Sequence, residues 1–423
     1  MSTVAVVVFP NSGVRPHDIA GAARACGLSP VYVALTGALD EREHAEYAAL
    51  GPVIESDEHA PELAAAALSA HAPSGVTTFS EGLVPFTARL AHLLRLPYHD
   101  QDTVVRLTDK RAQRQCLAER GVDAVRSAAV TSRAEALALL GEWPGPAVVK
   151  PVRGQSSIDT HFVASAADFP ADLTPTPERP FVVEEFLAGR DEGEFGDYVS
   201  VESLVVDGTA HTLGVTGKFP LMPPFREHGG FVPSHLGPAE HAGVARLAND
   251  AALALGIRQG LVHTEIKLTP QGPRIIEVNG RLGGFLADMY RRAMGIDLHE
   301  LGIRAACGLP VDVAEPVVAS VEFQYFGLSP LPGGGVLDRV DGIEVMLKEP
   351  GVVGHWQRLA VGGELPPPAT SFFMDILLGS APDHGAMLET IDRALAHLRL
   401  TFTEPDGRTS AWQARRGAMR RIG

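Results

Sequence analysis

The sequence predicts an α/β protein: an open parallel-sheet domain, then a longer α+β region, then an α+β tail. Three observations predict it. Roughly the first hundred residues alternate β-branched runs with helical patterns, the rhythm of βαβ units. From Thr108 onward the pattern changes to a capped helix and a series of strands and loops that lead to one long hairpin. After Ala306, glycine and proline are frequent, with short strands and one clear helix over 386–398.

The 423 residues suffice for about three domains. Acids outnumber bases 51 to 36, and the net charge of −15 argues against nucleic acid or an anionic membrane as partner. No apolar run approaches the length of about 18 residues that a bilayer requires. Met1-Ser2-Thr3-Val4 lacks a basic region before its apolar stretch, so no secretory signal is expected. Cys26, Cys116 and Cys307 are scattered, as reduced cytoplasmic thiols would be.

Residues 4–9 read as a buried parallel strand, 17–26 as a helix closed by Gly27, 30–35 and 75–79 as strands, and 83–94 as a helix. Thr108 or Asp109 caps a helix reaching Glu119 and stopped by Gly121. Residues 147–151 form a strand, followed by the small-residue loop Gly154-Gln155-Ser156-Ser157. The proline-rich stretch 168–180 is a surface connection, 181–187 a strand and 189–196 a loop. A strand over 198–206 ends in the hairpin signal Asp207-Gly208. Residues 239–255 are helical, and 261–268 and 274–278 are strands.

The last two strands carry the most information. They flank Pro270-Gln271-Gly272, which reads as a three-residue loop. A loop centred on Gln271 sets Glu265 opposite Glu277. Strand side chains alternate faces, so Asn279 shares the face of Glu277, while Ile276 and Val278 point the other way. Opposed like charges destabilise a strand pair unless something neutralises them. A small set of oxygen donors suits Mg²⁺, with Mn²⁺ an alternative, the other positions going to water and phosphate. The plainer alternative is two glutamates on a solvated face; the metal reading is preferred.

Other residues suit a polyphosphate. Lys150 ends an apolar strand and precedes a loop whose backbone N–H groups and hydroxyls can approach phosphate oxygens. Lys110 lies in the first turn of a helix, where its charge opposes the helix dipole. For Lys110 alone, an ordinary surface lysine is the simpler reading. Because a chain of net charge −15 repels polyphosphates at long range, Lys110, Lys150, Lys218, Arg281 and a metal must supply local positive charge. There is no Gly-x-x-x-x-Gly-Lys-Ser/Thr loop, no His-Glu-x-x-His and no Gly-x-Ser-x-Gly, so P-loop, zinc-protease and α/β-hydrolase readings lack their anchors.

Taken in order, these pieces resemble the ATP-grasp enzymes over residues 107–292. The resemblance rests on Asp109-Lys110-Arg111, Val148-Val149-Lys150-Pro151, Val183-Glu184-Glu185-Phe186-Leu187, Ser200-Val201-Glu202 and Glu277-Val278-Asn279-Gly280-Arg281. It implies a two-subdomain clamp at 107–305, mobile near 110–185, after an α/β domain at 1–106 and before a lid-like α+β domain at 306–423. It also implies ATP and Mg²⁺. Lys110 and Lys150 would contact the α and β phosphates, with Ser156 and Ser157 in the phosphate loop. Glu184, Glu185, Phe186 and Leu187 would hold adenine, and Glu202 would be an active-site acid. Glu265, Glu277 and Asn279 would ligate the metal, and Arg281 would stabilise the transferring phosphoryl group.

Within the superfamily, the L-amino acid ligases and other carboxylate–amine ligases are most similar. Thr216-Gly217-Lys218 and the segment from Phe225 to Ser234 resemble their substrate-facing part, with Lys218 on the γ-phosphate and Glu227 on an amine. The sequence departs from the pattern at Ser156 and Asp159, where glycine is typical, and at Gly230, where histidine is usual and His228 lies two residues earlier. The linker after Gly189 is longer, leaving Glu192, Glu194 and Asp197 open as ribose contacts. The implied function is an ATP-dependent ligase joining a small-molecule carboxylate and amine, such as amino acids, through an acyl phosphate, with release of ADP and phosphate. Relatives are often homodimers. The rivals are a bicarbonate-activating carboxylase of the same superfamily and a nucleotide-binding regulator without ligase activity.

Overall fold

A computed structural model describes residues 2–9, 13–155, 157–313, 318–367 and 372–422. β1 (Thr3–Val8), β2 (Ser29–Leu35), β3 (Val53–Ser56) and β4 (Pro73–Thr78) form a parallel sheet of order β3-β2-β1-β4. Both faces are covered, which is why the two inner strands, β1 and β2, are apolar beyond their first residue. Ala5, Val7, Val31 and Val33 pack on the helices Pro61–Ser69 and Val84–Leu94. Val4, Val6 and Val8 pack on Pro16–Ala25 and on the later helices Leu286–Met294 and Leu298–Ala306. This second core joins the first sheet to the rest of the molecule.

Two helices follow: Gln101–Thr108, which was not expected, and Lys110–Glu119, capped by Asp109 through the N–H of Ala112. β5 (Ser127–Val130), β6 (Ala147–Pro151), β7 (His161–Val163) and β8 (Phe181–Glu185) make an antiparallel sheet of order β5-β8-β6-β7. The helix Lys110–Glu119 does not share that sheet's core. Its Cys116 and Leu117 pack with Ile275 and Val278 of the central sheet. By packing, then, the unit expected over 110–185 starts after this helix.

The remaining strands are β9 (Tyr198–Val206), β10 (Thr209–Lys218), β11 (Gly229–Val232), β12 (Gly260–Thr269), β13 (Gly272–Asn279), β14 (Val321–Leu328), β15 (Gly335–Asp341), β16 (Val352–Gln357), β17 (Glu364–Leu365), β18 (Phe373–Ala381), β19 (Arg399–Thr403), β20 (Thr409–Arg415) and β21 (Ala418–Arg421). They form an eight-stranded sheet, β13-β12-β9-β10-β11-β14-β18-β16, and a five-stranded one, β17-β15-β19-β20-β21. The boundary expected at 306 therefore falls inside one sheet, because β14 pairs with β11. Among the described residues, no helix is long and apolar enough to cross a membrane.

The β9–β10 turn has Asp207 and Gly208 at φ of 50° and 76°, the left-handed pair that a two-residue hairpin requires. The β12–β13 turn is shorter than expected. Thr269 pairs with Gly272, so Pro270-Gln271 alone bridge the strands. A β-bulge between Glu265 and Ile266 absorbs the missing residue, and Glu265 still faces Glu277. The bulge also changes faces: Ile276 lines the same cleft as Glu277 and Asn279, contrary to strict alternation, whereas Ile275 and Val278 enter the core.

Candidate active site

Strand alternation builds the site. Val199 and Val201 of β9 pack under the helix Pro238–Ala254, so Tyr198, Ser200 and Glu202 turn the other way. Cross-strand pairing then aligns two rows over β9, β12 and β13: Glu202, His263, Asn279 and Ser200, Glu265, Glu277. The cleft above has a volume of about 350 Å³ and is lined from the small sheet, the central sheet and the first domain.

Lys110, Lys150, Ser157, Glu184, Glu185, Phe186, Leu187, Lys218, Glu227, Glu265, Glu277, Asn279 and Arg281 all line this one cleft. Ser156 lies outside the described residues. Glu202 does not reach the wall: it sits behind His263, accepting from Nδ1 at 2.6 Å and from the Gly283 N–H at 3.3 Å. Glu192, Glu194 and Asp197 are off the wall too. They pair with His235, Arg416 and Lys267 respectively.

The cations expected to form a positive patch are each matched by a carboxylate, because a buried charge without a partner is costly. Lys110 Nζ lies 2.7 Å from Glu277 Oε1 and donates to Gly154 O at 2.8 Å. Lys218 Nζ is 3.4 Å from Glu227, which also accepts from the Tyr198 hydroxyl at 3.2 Å. Arg281 donates to Glu81 at 2.8 Å. Glu184 takes Lys150 at 3.0 Å and two nitrogens of Arg114 at 3.0 and 2.9 Å.

The proton affinities follow. Burial alone would push the Glu184 carboxyl up, but Arg114 and then Lys150 hold it down at about 2. Burial also opposes ionisation of Glu265, yet His263, Lys218 and Arg281 keep its carboxyl below the usual range. His263 would be lowered by burial, but Glu202 and then Glu265 raise it to about 9. Glu81 is raised by burial despite Arg281.

Three charged residues of the site were not foreseen as functional. Arg114 stands one helical turn after Lys110, and that spacing was visible. It also donates to the carbonyls of Ile275 and Ile276 at 2.7 Å, tying the small sheet's acid to the hairpin. His263, on the same strand as Glu265, bridges Glu202 and Glu265 on the cleft wall. Glu81 left no local signal, since it arrives through the packing of the first sheet.

The donors at the hairpin fit a hard dication in part. Glu265 and Glu277 supply carboxylate oxygens from opposed positions. With its amide turned to suit its neighbours, Asn279 donates from nitrogen to the two oxygens of Glu81, at 3.2 and 2.9 Å. Among the described residues, no group of three or more His, Cys, Asp or Glu is gathered to hold a metal alone. A dication here therefore needs oxygens from a ligand, as Mg²⁺ at a phosphate does.

Residues 143–288 match the ATP-grasp domain family, a span that takes in β6, β8 and the whole hairpin. The chain is 26% identical over 254 residues to alanine–anticapsin ligase of Bacillus subtilis strain 168, covering 55% of this chain and 53% of that protein. It thus spans about half the length of that relative. The fold is shared with an L-amino acid ligase from Bacillus licheniformis, at a TM-score of 0.77 and 23% identity over 94% of this chain and 98% of that one. It is shared as well with the biotin carboxylase domain of the 2-oxoglutarate carboxylase of Hydrogenobacter thermophilus, solved with MgADP and bicarbonate. That match has a TM-score of 0.67 and 15% identity over 97% and 92% of the two chains.

Proposed function

This chain belongs to the ATP-grasp superfamily, and on that premise we propose that it is an ATP-dependent carboxylate–amine ligase acting through an acyl phosphate. The observation that carries the reading is the opposed pair Glu265 and Glu277, in one cleft with Lys110, Lys150 and Arg281. Binding alone does not call for two facing acids, which cost stability unless a cation joins them.

A carboxylate is a poor acyl donor until its oxygen is phosphorylated. Lys110 and Lys150 hold the inner phosphates, exchanging Glu277 and Glu184 for phosphate oxygens. Lys218 and Arg281 spread the charge of the γ-phosphoryl group as it passes to the substrate carboxylate. Glu265, Glu277 and Asn279 would hold Mg²⁺, which when bound neutralises phosphate charge. Phe186 and Leu187, at the end of β8, flank the adenine. Glu227 accepts a hydrogen bond from the substrate amine, which attacks the acyl carbon and expels phosphate. The small sheet closes over the nucleotide and excludes water, which would otherwise hydrolyse the intermediate.

Incubation with ATP, Mg²⁺, amino acids and hydroxylamine should give ADP, phosphate and a hydroxamate. No ADP and no hydroxamate across a broad panel of acids contradicts the reading. The carboxylase fold match supports a second reading, bicarbonate activation. Bicarbonate-dependent ADP release without an organic acid would favour it.

A further inference from the structure

One end of the cleft is apolar, and the proposed chemistry does not use it. Leu221, Phe225, Phe285, Leu286, Phe326 and Phe373 form its wall. The Phe326 and Phe373 rings stack at 4.3 Å and 14°, and Phe285 meets Phe373 edge-on at 5.2 Å. Arg358, itself off the cleft wall, stacks 4.3 Å from the Phe373 centroid and 5.4 Å from that of Phe285.

Phe285 stands at φ of 63°, in the left-handed region that bulky side chains avoid. It is also the residue before the helix Leu286–Met294, where Ser, Asp, Asn or Gly is favoured, and it makes no side-chain cap. An aromatic residue is therefore held in a place that local preference assigns to glycine or asparagine, and the conformation turns its ring onto the cleft wall. Such strain marks functional positions. The charged groups on the wall nearby are matched, Arg281 with Glu81 and Lys218 with Glu227, and the Arg358 guanidinium behind it lies over the Phe373 and Phe285 rings. A charged substrate side chain would meet an apolar wall with no unmatched counter-charge among its described residues, a costly transfer.

We infer that this end receives the side chain of one of the two substrates and selects an amino acid with a large apolar or aromatic side chain over charged or small ones. The inference rests on the ligase reading. Burial of such a side chain favours it over glycine by about ten- to a hundredfold.

Calorimetric titration of the full chain, with and without MgADP, tests this with L-phenylalanine, L-leucine, L-glutamate, L-lysine and glycine as probes. L-phenylalanine or L-leucine should bind at least about tenfold tighter than the other three. Phe285→Gly should erase the preference and leave the protein folded, since the relief of positive φ offsets part of the lost ring packing. Phe373→Leu, which keeps the wall apolar, should weaken L-phenylalanine more than L-leucine. Equal affinities, a preference for glutamate or lysine, no binding by any probe, or an unchanged preference in Phe285→Gly overturns the inference. Selective binding without ADP release from any acid–amine mixture supports it and counts instead against the ligase reading.

Discussion

Two strand pairs of the cleft treat their glutamates in opposite ways. On β8, across from Val148 of β6, one acid has two cations: Glu184 is gripped by Arg114 and Lys150. On β12 and β13 two acids face each other with one cationic partner apiece, His263 for Glu265 and Lys110 for Glu277. The first arrangement is complete as it stands, and it fastens the small sheet to the helix Lys110–Glu119. The second keeps like charges together, which folding alone does not favour. The contrast separates a residue that holds the wall of the site from residues available for its chemistry.

The largest effect should come from breaking the closed arrangement. Glu184→Gln leaves Arg114 and Lys150 buried without their carboxylate, and urea denaturation should show a loss of about 3–5 kcal/mol. A loss below about 1 kcal/mol would make Glu184 as dispensable to the fold as the hairpin acids. Acid sharpens the same point. The Glu184 carboxyl lies near 2 in the folded protein against an ordinary 4.5, so its contribution is present above the higher value and lost as pH falls toward the lower. That difference is worth about 3 kcal/mol. The stability gap between wild type and Glu184→Gln should be flat from neutrality to about pH 5 and shrink below it.

Glu277→Gln probes the other arrangement. Turnover should fall about a hundredfold or more, while the melting temperature changes far less than in Glu184→Gln, because relief of the opposed charges offsets the loss of the Lys110 ion pair. A matching loss of stability would erase the contrast. The smallest effect belongs to the phosphate loop. Ser157 has φ of 54°, so Ser157→Gly should raise stability by up to about 1 kcal/mol in thermal denaturation.

The positive φ of Ser157, and of Asp159 at 54°, also gives a physical reason for the glycine preference in this loop. Much of the site was legible because strand alternation and short turns are local. The facing of Glu265 and Glu277 could be read from the hairpin, although two errors cancelled: the turn is shorter and the bulge makes up the difference. Ile276 was misplaced for the same reason, since a bulge leaves no mark in the apolar pattern. Glu81 and the continuation of the central sheet through β14 depend on contacts between distant segments, which periodicity does not report. The aromatic wall was invisible for that reason too, its rings coming from loops and strands far apart in the chain.

The central claim is that the facing acids serve transfer of a phosphoryl group onto a carboxylate, and an isotope tests it most directly. An amino acid labelled with ¹⁸O in its carboxylate is turned over with ATP and an amine, and the released phosphate is analysed by mass spectrometry. The account predicts one labelled oxygen in phosphate for each amide formed. Amide formation with unlabelled phosphate, or with the label in AMP, would contradict it.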